Sequence, residues 1–179
     1  MVIGSYRENS NQIGPTNGPG ASADQSLFAA GAAYVFRKVA GNWIQEAYLK
    51  ASNPGISDFF GTSVAISGDT IVVGAPSNGG SGSIYVFQRV GTTWSEQAFL
   101  KASNWDAGDQ FGISVSIDGD VIAIGAYWEN SSQNTVTNGT TASADNSMSD
   151  AGAAYVFRRT AGVWNQEAYL KATNAATND

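Results

Sequence analysis

The chain has 179 residues, 21 of them glycine, with no cysteine, no histidine, 13% charged residues and a formal net charge of −6. Its scattered basic residues rule out the positive footprint that nucleic acid or an anionic membrane surface requires. Without Cys or His there is no disulfide framework, imidazole base, thiolate nucleophile or His- or Cys-ligated zinc.

In chain order, Met1-Val2-Ile3-Gly4-Ser5 reads as the second half of a hairpin that recurs complete further on. Residues 4–50 align without a gap on 125–171. Gly4-Ser5-Tyr6-Arg7-Glu8-Asn9-Ser10 meets Gly125-Ala126-Tyr127-Trp128-Glu129-Asn130-Ser131, and Gly31-Ala32-Ala33-Tyr34-Val35-Phe36 meets Gly152-Ala153-Ala154-Tyr155-Val156-Phe157. Between them stands a copy with a short loop, Gly82-Ser83-Ile84-Tyr85-Val86-Phe87. The full hairpin is Asp58 to Ala75 and again Asp109 to Ala126: a small-polar and apolar alternation, a Gly-Asp turn, then an apolar run suited to a strand buried on both faces. Each repeat ends on an alternating strand headed by Trp43, Trp94 or Trp164, predicted as an outer, half-exposed strand.

Four antiparallel strands in about 50 residues predict an all-β chain built as a β-propeller. A linear solenoid is disfavoured because small residues (Gly61, Ser63, Ala65; Gly112, Ser114, Ser116) suit inner strands crowded near an axis. About three four-stranded blades are expected, at residues 1–50 (lacking the inner strand), 58–101 and 109–171. Three blades are too few to close a ring. Met1 falling inside a strand therefore points to a piece of a longer propeller, and two copies making six blades form the alternative. No segment approaches ~20 consecutive apolar residues, so membrane insertion is not expected, and Met1 to Glu8 lacks a signal-peptide plan.

Phe60-Gly61 and Phe111-Gly112, followed by Val73-Gly74-Ala75-Pro76 and Ile124-Gly125-Ala126, resemble the FG-GAP repeat of integrin α-subunit propellers and of many bacterial surface and secreted proteins. The likeness spans nearly the whole chain. It implies a propeller with this strand order, an extracellular or cell-surface location and a role in adhesion or protein recognition. One departure matters. Calcium-binding repeats of that family carry an Asp-x-Asp-x-Asp-Gly-like loop in the inner hairpin, since a hard cation needs several converging oxygens. Here that turn is only Ser67-Gly68-Asp69 or Asp118-Gly119-Asp120.

The remaining route to catalysis is a carboxylate pair of the glycosidase kind, with the acids roughly 5 to 9.5 Å apart. Asp58 and Asp109 are its candidates, and their recurrence before each Phe-Gly reads more simply as a turn acid that accepts backbone hydrogen bonds. No catalytic residue is assigned. The two long loops repeat Glu8, Asn9, Asn17 and Asp24 as Glu129, Asn130, Asn138 and Asp145. Three readings stand: a duplicated disordered insert, direct ligand contact, or a loop held in one shape by calcium, with Glu8, Asp24, Glu129 and Asp145 as metal ligands. Tyr6, Tyr127 and Trp128, with Asn9 and Asn130, are the candidate ligand-binding residues, because aromatics where a strand enters a loop can stack on sugar rings or a partner protein.

Three functions follow. The first is a non-enzymatic module for adhesion or for protein or glycan recognition through the long loops. The second is a self-assembling unit that closes its ring as a homo-oligomer. The third is a carbohydrate-active domain.

Overall fold

The computed structural model describes residues 1–178. It forms three antiparallel sheets in chain order. The first runs β1 (Val2–Ser5), β3 (Ala32–Val39), β4 (Asn42–Leu49) and β2 (Thr16–Asn17). The second runs β5 (Ser63–Ser67), β6 (Thr70–Ala75), β7 (Ser83–Val90) and β8 (Thr93–Leu100). The third runs β9 (Ser114–Asp118), β10 (Val121–Ala126), β12 (Ala153–Thr160), β13 (Val163–Leu170) and β11 (Thr137–Asn138). Among the described residues the one helical turn is 3₁₀, Asn78–Gly80. No helix is long and apolar enough to cross a membrane. The all-β, propeller-like reading holds, and the first sheet does lack its inner strand, leaving β1 as an unpaired edge.

Two features differ from the expectation. The outer strands of the first and third sheets are not edges, because each long loop folds back as a two-residue strand: β2 pairs with β4 (Thr16↔Tyr48) and β11 with β13 (Thr137↔Tyr169). Among the described residues β8, beside the short loop, is the one tryptophan-led strand left at the edge of its sheet. In addition, every outer pair carries a β-bulge at the same place, between Val35 and Phe36, Val86 and Phe87, and Val156 and Phe157. The extra residue is Glu46, Gln97 or Glu167, and it interrupts the alternation that the tryptophan-led segments imply.

The sheets bury their broad faces in two clusters. The first joins Ala33, Val35, Leu49 and Ala51 to Phe60, Ile71, Val73, Tyr85 and Trp94. The second joins Val72, Ile84 and Val86 to Phe111, Ile122, Ile124, Tyr155 and Trp164. The middle sheet thus offers alternate residues of β6 to opposite neighbours, Ile71 and Val73 one way and Val72 the other, which is why that strand is apolar throughout.

Each junction has the same two fixings. The Phe of the Phe-Gly motif wedges between sheets: Phe60 packs edge-on against Tyr85 at 5.2 Å, and Phe111 against Tyr155 at 5.2 Å. Their backbones bond to the preceding sheet, Phe60 N–H to Ala30 O at 3.1 Å and Phe111 N–H to Ser81 O at 3.0 Å. At the outer side, the bulge residue of one sheet accepts from the tryptophan of the next. Trp94 Nε1 donates to Glu46 Oε1 at 2.9 Å and Trp164 Nε1 to Gln97 Oε1 at 3.1 Å. Trp43 has no sheet before it and is 57% exposed, whereas Trp94 is 1% exposed.

The same repeat position should therefore carry unequal energies. Trp94→Ala is expected to cost roughly 3–5 kcal/mol by emptying a junction, and Trp43→Ala less than about 1 kcal/mol, as read from urea unfolding. Equal costs would contradict the junction assignment.

Candidate functional site

The two long loops and the turns that lead into β5 and β9 lie on one rim of the sheets, at the chain reversals that enter the inner strands and leave β1, β6 and β10. Each loop is built around an ammonium. Lys50, fully buried at the end of β4, places all three donors: on Glu8 Oε2 at 2.8 Å, Ser10 O at 2.8 Å and Gly31 O at 2.7 Å. Lys171 repeats this with Glu129 Oε2 at 3.0 Å and Gly152 O at 2.6 Å. Glu8 and Glu129 also accept from the backbone of Ser10 and Ser131, which turns each carboxylate inward. The interaction is strong because both partners are out of water, with side-chain exposures of 0% and 1% for Lys171 and Glu129.

The other repeated residues brace the same shape. Asn9 Oδ1 accepts from Ala29 N–H at 2.7 Å, and Asn130 Oδ1 from Asp150 N–H at 2.8 Å. Asp24 accepts from Asn11 N–H and Ser26 Oγ, and those bonds hold its carboxyl below the usual range. Asp145 accepts from Ser132 and Ser147, whose hydrogen bonds draw it down to about 2. Asn17 exchanges two bonds with the backbone of Trp94 in the next sheet, at 2.7 Å and 3.2 Å. Asn138, its counterpart, stands in β11 at the open side of the third sheet. Glu8 and Asp24 thus serve separate parts of one loop, as do Glu129 and Asp145 in the other. Among the described residues no three His, Cys, Asp or Glu side chains converge as a metal-binding group. The positive charge at the centre of each loop is a lysine of the chain itself.

The lysine was the residue the sequence reading passed over. A Lys ending a strand looks like a solvated head, but its recurrence as Lys50, Lys101 and Lys171, with Glu only in the two long-loop copies, was the available signal. In the short-loop copy Lys101 instead donates to Ser81 Oγ at 3.0 Å and lies over Trp105.

Asp58 and Asp109 occupy separate junctions, each closing its own turn. Asp58 Oδ2 accepts from Gly55 N–H at 2.7 Å and Asn78 Nδ2 at 2.8 Å. Asp109 Oδ2 accepts from Asp106 N–H at 2.8 Å, but its buried Oδ1 has no partner. One substitution between repeats also removes a donor to this acid: the place of Asn78, which bonds to Asp58 Oδ2, is taken by Glu129, which cannot donate. Burial pushes the Asp109 carboxyl up to about 6, with Glu129 and Asp106 adding to the rise and the Asp106 N–H opposing it.

Three exposed aromatics, Tyr6, Tyr127 and Trp128, stand on this rim. Tyr6 is 45% exposed, meets Phe59 edge-on at 6.1 Å and lies under Arg7 at 5.4 Å. Together with Thr62, Pro76, Gln110 and Ile113 they line a groove of 280 Å³. Phe59 is held there with φ of +56°, a left-handed conformation that costs a bulky residue about 1–3 kcal/mol. Tyr127 and Trp128 meet at a tilt, with ring centroids 4.8 Å apart, and border a second groove, of 210 Å³, with Asp150 and Asn178. Of the five proposed ligand-binding residues, then, Tyr6, Tyr127 and Trp128 present rings to solvent, while the side-chain oxygens of Asn9 and Asn130 point into their own loops.

Two outcomes are expected. Lys171→Met strands Glu129 in a buried position and should cost roughly 3–5 kcal/mol, whereas adding or chelating millimolar calcium should leave the melting temperature of the unmodified chain in place, as read by circular dichroism. Asp109 has a raised folded-state pKa, so its contribution to stability is complete below the unfolded value of about 3.9 and is lost as pH climbs through about 6. Asp109→Asn should therefore gain on the order of 2 kcal/mol at pH 7.5 and nothing at pH 3.5 in urea unfolding. A variant that gains equally at both pH values would contradict the assignment.

The family comparison agrees with this architecture. A model of the FG-GAP repeat matches residues 43–87 and 94–157, more than half of the chain. No curated protein matches it. The matched segments contain both inner hairpins, both Phe-Gly wedges and the junction tryptophan Trp94, so the chain belongs to the FG-GAP repeat family.

Proposed function

We propose that the chain is a non-enzymatic recognition module that binds a glycan, or a protein surface of similar chemistry, through the aromatic rim of its long loops. The observation that carries the reading is the pair of rim grooves, each with exposed aromatic rings beside polar groups: Tyr6, backed by the half-buried Phe59, near Gln110 and Ser77, and Tyr127 and Trp128 near Asp150 and Asn178. A flat apolar ring next to amide, hydroxyl and carboxylate groups suits a sugar, which offers an apolar ring face and a rim of hydroxyls. FG-GAP repeats are typical of extracellular proteins, and an extracellular or cell-surface setting fits such a role. The enzymatic alternative is disfavoured by the candidate acids themselves, since Asp58 is spent on its own turn and Asp109 is buried.

The test is a screen of immobilised polysaccharides and extracellular-matrix proteins, followed by titration of whatever binds. Tyr6→Ala and Trp128→Ala should each weaken binding by roughly tenfold with the melting temperature unchanged. A ligand whose affinity ignores all of Tyr6, Phe59, Tyr127 and Trp128 would overturn the proposal.

A further inference from the structure

The middle repeat departs from its neighbours at positions that meet in space. Each tryptophan-led strand runs into a lysine, and in the long-loop copies that side chain is fully buried against a carboxylate, Lys50 on Glu8 and Lys171 on Glu129. In the short-loop copy the place of the glutamate is taken by Asn78, which donates to Asp58 Oδ2 at 2.8 Å and accepts from Ser83 Oγ at 2.9 Å. Lys101 is therefore only half-buried, with Ser81 Oγ at 3.0 Å and Gly82 O at 3.5 Å as its acceptors. Among the described residues no carboxylate lies within ion-pair distance of it, and Asp58 acts on it from further away. An ammonium has three donors, so at least one N–H of Lys101 has no protein acceptor among those residues. Beside it the chain is reduced to glycine: a side chain on Gly79 would come within 3.0 Å of Lys101 Nζ, and one on Gly80 would stand in open space.

The second departure is Trp105, in the turn that leads into β9, where the preceding repeat has Pro54 and the following one Ala175. It is a further exposed ring on the rim, 59% accessible, with Lys101 Nζ 5.6 Å from its centroid. Its neighbours in sequence anchor it. Asn104 accepts from Tyr155 OH at 2.8 Å and donates to Ser143 O at 2.6 Å, and Asp106 N–H bonds to Asp109 Oδ2 at 2.8 Å. The cation–π contact covers part of one ring face and leaves most of the indole in water. The lysine without a carboxylate and the tryptophan without a counterpart thus occur in the same repeat, side by side.

We infer that Lys101 and Trp105 form a binding site for an acidic sugar, whose apolar ring face lies on the indole and whose carboxylate or sulfate ester accepts from the ammonium. The acidic group follows from the chain's own chemistry, since the partner of this lysine in both other copies is a carboxylate. A net charge of −6 draws no anion from a distance, so preference for an acidic over a neutral sugar has to come from a local cation of this kind. The inference rests on the recognition role proposed above and adds to it a ligand class and a further position. That position shares its two connections, β6–β7 and β8–β9, with Ser77 and Gln110 of the first groove.

The test is calorimetric titration of the full chain with trigalacturonate, with a sulfated galactose oligosaccharide, and with the methyl ester of trigalacturonate as the neutral control. The expected result is saturable binding of at least one acidic probe, which tells carboxylate from sulfate, and binding of the ester weaker by roughly tenfold. Lys101→Gln should abolish the preference for acid, and Trp105→Ala should weaken binding by roughly tenfold with the melting temperature unchanged. Because the ester comparison is made on the unaltered chain, it decides the matter even if Lys101→Gln disturbs the turn. Binding of neither acidic probe, an ester as tight as the acid, or affinity indifferent to both substitutions would each overturn the inference. Acid-selective binding that is lost in Tyr6→Ala or Trp128→Ala but kept in Lys101→Gln and Trp105→Ala would overturn it while leaving the recognition role standing. Dependence on Lys101 and Trp105 alone would uphold the inference and overturn the assignment to the two grooves.

Discussion

The closeness of two backbones at each junction is the constraint from which the rest of the structure follows. Gly4 faces Gly61, and Gly74 faces Gly112, at separations that leave no room for a side chain. Such contacts bring neighbouring sheets together at their inner ends while bulky groups, Trp94 and Trp164, fill the space at their outer ends. Small residues inside and large ones outside make a wedge, and repeated wedges make a fan rather than a stack. The Phe of each Phe-Gly fixes the wedge by burying a ring against the sheet it belongs to while its backbone bonds to the sheet before. Burial of such a ring contributes about 1.5–3 kcal/mol, so the two junctions are a large share of what holds three otherwise independent sheets together.

The rim is stabilised by a different device. Long polar loops lose much conformational entropy on ordering, and these contain few apolar residues to offset it. A buried lysine supplies the compensation by drawing a carboxylate and loop carbonyls to a single point. The rings of Tyr6, Tyr127 and Trp128 are therefore carried by loops anchored to the ends of β4 and β13. Where the loop is short, Asn78 replaces the glutamate and bonds to Asp58, and the local charge balance is kept. In the third sheet both acids are present for one lysine, and Asp109, raised first by its burial and then by the nearby Glu129, is the one pushed toward its neutral form.

Much of the architecture was legible because the Phe-Gly and Tyr-Val-Phe patterns recur in register, and only repeated sheets explain that spacing. What escaped had physical reasons. β2 and β11 are two residues long, too short for any periodicity, and lie in stretches whose Asn, Ser, Thr and Gly content reads as loop. The bulges escaped because Glu46, Gln97 and Glu167 are polar residues in an amphipathic strand, where one inserted residue does not disturb composition. The three tryptophans looked equivalent, yet the burial of Trp94 and exposure of Trp43 depend on whether a sheet precedes them. Asn9 and Asn130 accept backbone hydrogen bonds within their own loops, and an asparagine that braces a turn and one that contacts a ligand are identical in sequence.

Proton–proton distances between paired glycines give the most direct measurement of the radial arrangement. The account predicts strong nuclear Overhauser contacts from Gly4 to Gly61 and from Gly74 to Gly112 in the intact chain in solution. Sheets that instead stack in a line, with those pairs beyond contact distance and the tryptophans of all three repeats equally protected, would contradict it.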